Sequence, residues 1–234
     1  VLPTIKIYIG SIVSRRNYLA DLLKQIPNAI VCVDVPLSGG SWRTRRTQKL
    51  HGADSGCDWI IMLDDDVIVC DNFEYEAARC LSYCPGDIAS LFIGRKNELV
   101  KRVKNGGYCW LESTNHVYGA ATCLKSKLAK HMVCWDDKYV SVWNKSGDLH
   151  VSLYAAANHI KTYCSIPSLA EHRPDAHSTL FNGSNKDFMS SWFVKDASKI
   201  EWNSKSVFYG KSAVGFLRSA VMTGQFKGPK ERKK

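Results

Sequence analysis

The chain has 234 residues, a formal net charge of +10, 45% hydrophobic residues and 11% aromatic residues. That composition excludes disorder for the bulk of the chain, and the length allows a sizeable core without disulfides or a structural metal. No apolar run approaches the roughly 20 residues needed to cross a bilayer, so no transmembrane segment is expected. The surplus of Lys and Arg suits an anionic partner such as a nucleoside diphosphate, a nucleic acid or an acidic membrane.

Residues 5–10, Ile-Lys-Ile-Tyr-Ile-Gly, alternate and then reach glycine, which predicts a strand with a turn after it. Residues 16–25 place Tyr18, Leu19, Leu22 and Leu23 on one face of a helix. Residues 29–35 form a second apolar strand that carries Asp34 near its end. A Gly-rich loop, 36–41, leads into a basic helix, 42–53. The run Trp59-Ile60-Ile61-Met62-Leu63 then enters Asp64-Asp65-Asp66. An unbroken apolar run of this length reads as a strand buried on both faces, with the three carboxylates at its C-terminal end.

In the second half, residues 73–84 look helical and are stopped by Pro85-Gly86. Residues 88–93 and 162–166 read as strands, and 117–124 as a strand broken at Gly119. Helices are predicted over 125–132 and 149–159. The alternation of strands and helices predicts an α/β fold with a mainly parallel sheet flanked by helices. One domain is expected over 1–224, followed by a basic tail, 225–234, with five basic residues against one acidic. Nine cysteines, an odd number without zinc-site spacing, are expected as reduced thiols in a cytoplasmic protein.

In open α/β sheets ligands bind beyond the C-terminal ends of the strands. Three adjacent carboxylates there repel one another and require a counter-charge. A hard divalent cation, Mg²⁺ or Mn²⁺, supplies one and shares its coordination with phosphates. The plain alternative is a solvated acidic turn.

Taken in order, these segments resemble the GT-A nucleotide-sugar glycosyltransferases, especially the large family-two group and its small phage and viral members. The resemblance rests on the opening strand and helix, on Arg46-Thr47 with Ala53 behind it, and on Leu63-Asp64-Asp65-Asp66, which is similar to the Asp-x-Asp motif. It rests also on Gly147-Asp148 opening an Ala-rich helix, followed by 160–163 and by Pro167-Ser168-Leu169-Ala170-Glu171-His172. One departure is that the usual Glu-Asp pair is Gly147-Asp148 here.

The resemblance implies a single GT-A domain that moves a sugar from a nucleotide-diphosphate donor, a UDP-sugar first, with Mn²⁺ or Mg²⁺. Asp66 would bind the metal with His172, or His177 in its place. Asp64 would orient the ribose, and Asp65 would face the sugar or only support its neighbours. Asp148 is the candidate general base for an inverting transfer, against a plain helix N-cap, with Asp136 and Asp137 as competing acids on a loop tip. Asp34 ends its strand at the same edge and is placed to read the base or ribose. Arg43, Arg45 and Arg46 follow a Gly-Gly pair. At most two of them reach phosphate, with Arg46 preferred by its motif position. Trp110, Trp135, Trp143 and Trp192 are stacking candidates or core residues. For the acceptor, the basic charge favours a polyanion, and the resemblance to viral members implies hydroxymethylated pyrimidine in phage DNA. The alternative is a glycan or protein, such as a capsid or surface polysaccharide. The competing classes are a nucleotidyltransferase, which the sequence after the first strand fits poorly, and a non-enzymatic basic nucleic-acid-binding module.

Overall fold

The computed structural model describes residues 1–34, 41–94, 98–113, 119–139, 147–176, 189–190 and 192–209. The strands are β1 (Ile5–Ile12), β2 (Ile30–Asp34), β3 (Trp59–Asp64), β4 (Val67–Val69), β5 (Ile88–Ser90), β6 (Trp110–Ser113), β7 (Ala121–Lys125), β8 (Thr162–Ser165), β9 (Ala170–His172) and β10 (Val207–Tyr209). The helices are α1 (Arg16–Gln25), α2 (Ser41–Ala53), α3 (Phe73–Ser82), α4 (Glu98–Asn105), α5 (Ser126–Tyr139) and α6 (Gly147–Ala157). Eight strands form one sheet in the order β10-β6-β8-β5-β7-β3-β1-β2, and β4 pairs with β9 in a small second sheet.

β3 explains its own sequence. It is parallel to β1 on one side and antiparallel to β7 on the other. Trp59, Ile61 and Leu63 enter the core on one face of the sheet, among α1 and α3 residues such as Leu22, Phe73 and Leu81. Ile60 and Met62 enter the core on the opposite face, with Met132 of α5 and Val151 and Tyr154 of α6. A strand covered on both faces needs no polar alternation, because every side chain leaves water and gains roughly 1.5–3 kcal/mol. α4 covers the far end of the sheet on the α5/α6 face, with Val100 and Val103 against Leu111, Cys164 and Ile166.

The sheet is mixed as well as mainly parallel. β7 runs against both β3 and β5, and β6 runs against β8. The remaining pairings, β1 with β2 and β3, β5 with β8, and β10 with β6, are parallel. The predicted strand over 117–124 therefore starts at Ala121, with Gly119 just before it. The acidic pair Asp136-Asp137 lies inside α5, which runs seven residues past the predicted end at 132, and not on a loop tip. β4, β6, β9, β10 and α4 carry no sequence signal of their own; four of them are three- or four-residue strands that exist by pairing. Trp143, His177 and the tail 225–234 lie outside the described residues.

α2 lies unusually close to the sheet. A Cβ at Gly52 would sit 2.5 Å from Ile60 Cγ2, and one at Gly10 would sit 2.9 Å from Thr44 Cγ2. The helix face turned inward is polar: Thr44, Arg45, Gln48 and Lys49 are all buried. Lys49 pairs with Asp136 of α5, and His150 Nδ1 of α6 lies 3.6 Å from the other Asp136 oxygen. The Trp42 ring stacks on His150 at 5.7 Å. Burial pushes the Lys49 ammonium below its ordinary range, against the pull of Asp136. Burial acts to raise Asp136, but His150 and Lys49 outweigh it and hold the carboxyl low.

This ionic junction of three helices yields a stability test. Lys49→Met alone strands a buried carboxylate and is expected to cost about 3–5 kcal/mol. Combining it with Asp136→Leu is expected to recover most of that loss, because neither charge is then left unpaired. Since the folded-state pKa of Asp136 lies below the ordinary 3.8, its contribution is present above that pH and is lost as pH falls through the lowered value. Urea unfolding at neutral and acid pH measures both effects. A double variant no more stable than Lys49→Met would contradict this account.

Candidate functional site

The acidic strand end is built by two adjacent parallel strands. The register sets Gly10 of β1 beside Asp64 of β3, and Ile12 beside Asp34 of β2. Asp34 thus shares the sheet edge with the triplet, one strand beyond β1, and is partly buried. Asp65 and Asp66 occupy the turn from β3 into β4.

Asp65 is bound to the end of β1. Its Oδ2 accepts from Ser11 Oγ at 2.8 Å and from the Ile12 amide at 3.1 Å, and its Oδ1 accepts from Arg15 Nη1 at 3.0 Å. Burial raises its pKa, and these donors oppose the rise. The same Arg15 nitrogen lies 2.9 Å from Asp66 Oδ2. Arg15 closes the short 3-10 turn that follows β1.

Asp64 is held from α2. Arg45 Nη2 donates to Asp64 Oδ1 at 2.8 Å and to the Gly119 carbonyl, while Arg45 Nη1 donates to Gln48. The Gln48 amide donates to the Tyr8 carbonyl, which fixes the helix turn on β1. Desolvation pushes the Asp64 carboxyl up to about 6. Arg45 opposes that shift, and the neighbouring Asp66 and Asp65 charges add to it.

His172 arrives on β9, where antiparallel pairing sets it opposite Val67. Its Nδ1 lies 3.7 Å from Asp66 Oδ1 and is buried without a hydrogen-bond partner. The Phe92 ring meets the imidazole edge-on at 4.9 Å. Burial acts to lower the His172 pKa, but the carboxylates of Asp66, Asp64 and Glu171 carry it above its usual value. Glu171 accepts from the His172 and Ser190 amides, which ties the segment at 189–190 to β9.

Asp148 of α6 meets Gly119, whose carbonyl accepts from Arg45. A Cβ at Gly119 would lie 3.1 Å from Asp148 Oδ2 and 3.2 Å from its Cβ. Only a glycine permits that approach without displacing Asp148. Asp148 sits in the first turn of α6, which starts at Gly147, and its Oδ1 accepts from the Leu149 amide. A carboxylate there also favours the helix N-terminus.

Of the predicted residues, Asp64, Asp65, Asp66 and His172 lie together, Asp34 shares their edge, and Asp148 is linked to them through Gly119 and Arg45. Arg46 turns to α5, where it makes a two-point ion pair with Asp137 at 2.7 Å. Arg43 is exposed and lies over the Trp42 ring. Arg45 is the α2 guanidinium at the triplet. Trp110 is fully buried core, and Trp135 packs edge-on against Tyr154. Arg15 and Ser11 were not anticipated, and Gly119 was marked only as a strand break. The placement of Arg15 directly after a strand that ends at the binding edge was the available signal.

A divalent cation finds two side chains here, Asp66 and His172, whose facing oxygen and unpartnered nitrogen suit one. Among the described residues no group of three or more ligating side chains could hold a metal ion. The guanidinium groups of Arg15 and Arg45 already supply counter-charge to the triplet.

No family model matches the chain, and no curated protein matches it. Among solved structures, A197 from STIV is similar at a TM-score of 0.47 and 16% identity, over 74% of this chain and 86% of that one. No helix among the described residues is long and apolar enough to cross a membrane.

Removing Arg15 tests the charge balance. Arg15→Met leaves two buried carboxylates side by side and is expected to lower stability by about 3–5 kcal/mol. Millimolar Mn²⁺ is then expected to raise the unfolding midpoint of the variant more than that of the parent. A variant as stable as the parent would mean that Arg15 is not the principal counter-charge.

Proposed function

We propose that this protein is a glycosyltransferase that moves a sugar from a nucleoside-diphosphate donor, a UDP-sugar first, to an acceptor hydroxyl with inversion. The observation that carries the reading is the meeting of Asp148 with the acidic strand end across Gly119. One residue accepts from the guanidinium that holds Asp64 and also packs against Asp148. A carboxylate placed beside an acid-and-arginine cluster is the arrangement that a direct displacement needs.

In the proposed step the acceptor oxygen attacks the anomeric carbon as its proton passes to Asp148. The new carbon–oxygen bond forms while the bond to the diphosphate breaks, and the leaving diphosphate takes the electron pair. Asp34 and Asp64 face the nucleoside end of the donor. Asp66 and His172 would hold Mn²⁺ or Mg²⁺ bound with the donor phosphates, where it acts as a Lewis acid on the leaving group. Asp65, with its oxygens engaged by Ser11, Ile12 and Arg15, keeps the turn rigid and does not face the sugar.

A non-enzymatic nucleic-acid-binding module accounts for the charge but gives no role to Asp148 beside Gly119. Two measurements test the transfer reading. Asp148→Asn preserves the contact with the Leu149 amide, so stability is expected to hold while turnover falls about 10²-fold or more. Gly119→Ala displaces Asp148 by a few tenths of an ångström and is expected to cost about tenfold in turnover. The assay is product formation over a panel of nucleotide-sugars with Mn²⁺, alongside calorimetry of UDP binding. Full turnover in Asp148→Asn would remove it as the base. Loss of UDP binding in Asp66→Ala, with the fold intact, is the expected companion result.

A further inference from the structure

The far end of the sheet carries a second feature that the donor site does not use. α4 presents Lys101, Arg102 and Lys104 to solvent, and each of the last two lies over an aromatic ring. Lys104 Nζ is 4.7 Å from the Trp192 ring centre, and the Arg102 guanidinium is 5.4 Å from that of Phe208. Tyr108 meets Phe208 edge-on at 5.5 Å and is 37% exposed. Around the strand edge, Lys161 Nζ lies 5.8 Å from the Tyr209 ring, which is 69% exposed. Three cation–ring contacts thus lie around one helix and one edge strand.

The surface carries a positive balance. Among the described residues Arg102 and Lys104 form no ion pair, and Lys161 has one, to Glu112 at 3.1 Å. A purely structural role accounts for part of this: cations suit the last turn of a helix, and lysines protect a sheet edge from pairing. Neither reason calls for rings interleaved with the cations, nor for Tyr108 and Tyr209 at the surface.

This end of the sheet is tied to the acidic strand end through the interior, by the buried segment Ser168–Ala170. The Ser168 amide donates to the Trp192 carbonyl at 2.8 Å. From Ser168, four residues of chain reach His172, about 13 Å if extended. Gly94 and Ser190 form a bridge between the same regions.

We propose that α4 and the β10 edge form a binding track for single-stranded nucleic acid. Cations that follow the phosphates, combined with rings on which bases stack, are the recurring means of holding single strands. A duplex hides its base faces from such rings. If the transfer reading holds, a strand bound here is a candidate acceptor, which deepens that reading. Binding itself does not depend on it, so the two fail separately.

The test is anisotropy of a labelled oligothymidylate of about 12 nucleotides with the full chain, without donor or metal, over a salt series. The parent is expected to bind with steep salt dependence. Arg102→Gln with Lys104→Gln is expected to weaken binding about tenfold or more and to reduce the salt slope by about 1.4, at about 0.7 per phosphate. Tyr108→Ala with Tyr209→Ala is expected to weaken binding about tenfold with the slope unchanged, since a stacked base gives about 1–3 kcal/mol. Lys24→Gln, an exposed charge on α1, serves as the control and is expected to bind as the parent does. Thermal midpoints confirm that each variant is folded. No binding by the parent, or equal binding by the Arg102/Lys104 variant, overturns the proposal. So does equal affinity for a duplex of the same length, or a preference for anionic vesicles over the oligonucleotide.

Discussion

Three carboxylates in a row at the end of a buried strand set the terms for everything around them. Left alone they would repel each other in a poorly solvated place. The protein answers with two guanidinium groups and an imidazole from three directions: Arg15 from the turn after β1, Arg45 from α2, and His172 from β9. Each arrival requires its element to be where it is. β4 and β9 pair so that His172 faces Asp66, and α2 presses on β1 and β3 so that Arg45 reaches Asp64. The close glycine contacts at Gly10 and Gly52 serve that same approach.

The polar inner face of α2 follows from this requirement. A helix that delivers a guanidinium to a strand end cannot also present a simple apolar stripe. Thr44, Arg45, Gln48 and Lys49 are buried instead, and each of the last three finds a partner on another element or within the helix. Buried ionic groups of this kind add little net stability. What the arrangement provides is a fixed position for α2, and through Asp136 and His150 for α5 and α6. Asp148 rides on α6, so the ionic junction and the candidate base belong to one mechanical unit.

The sequence discloses the parts that depend on local chemistry. β3 is legible because five apolar residues without alternation fit only a strand covered twice, and the triplet is legible because it follows that run directly. The need for a counter-charge is legible as well. Its supplier is only hinted at, by a basic residue just past the end of β1: Arg15 lies 50 residues from Asp65, and no spacing marks the pairing. The choice between Arg45 and Arg46 was hidden for a related reason. With a polar buried face, α2 has no hydrophobic phase from which to tell inside from outside. The short strands β4, β9 and β10 were hidden because three residues carry no period and gain their structure from a neighbour. Gly119 shows as a break in a strand pattern, but its closeness to Asp148 appears only in three dimensions.

The reversed strand in the middle of the sheet has a consequence for how the chain assembles. β1, β2 and β3 are near in sequence and pair with one another as soon as residue 64 is available. β5 has no place beside them, because its partners are β7 and β8, and β7 alone joins it to β3. Until Ala121–Lys125 is in position, the molecule is two unconnected sets of strands with bare edges. Long-range pairing of this kind slows folding and exposes edges that other chains can occupy. Assembly of the sheet and assembly of the site thus become one event, since the residue that opens onto β7 is the same glycine that brings Asp148 to the acidic turn.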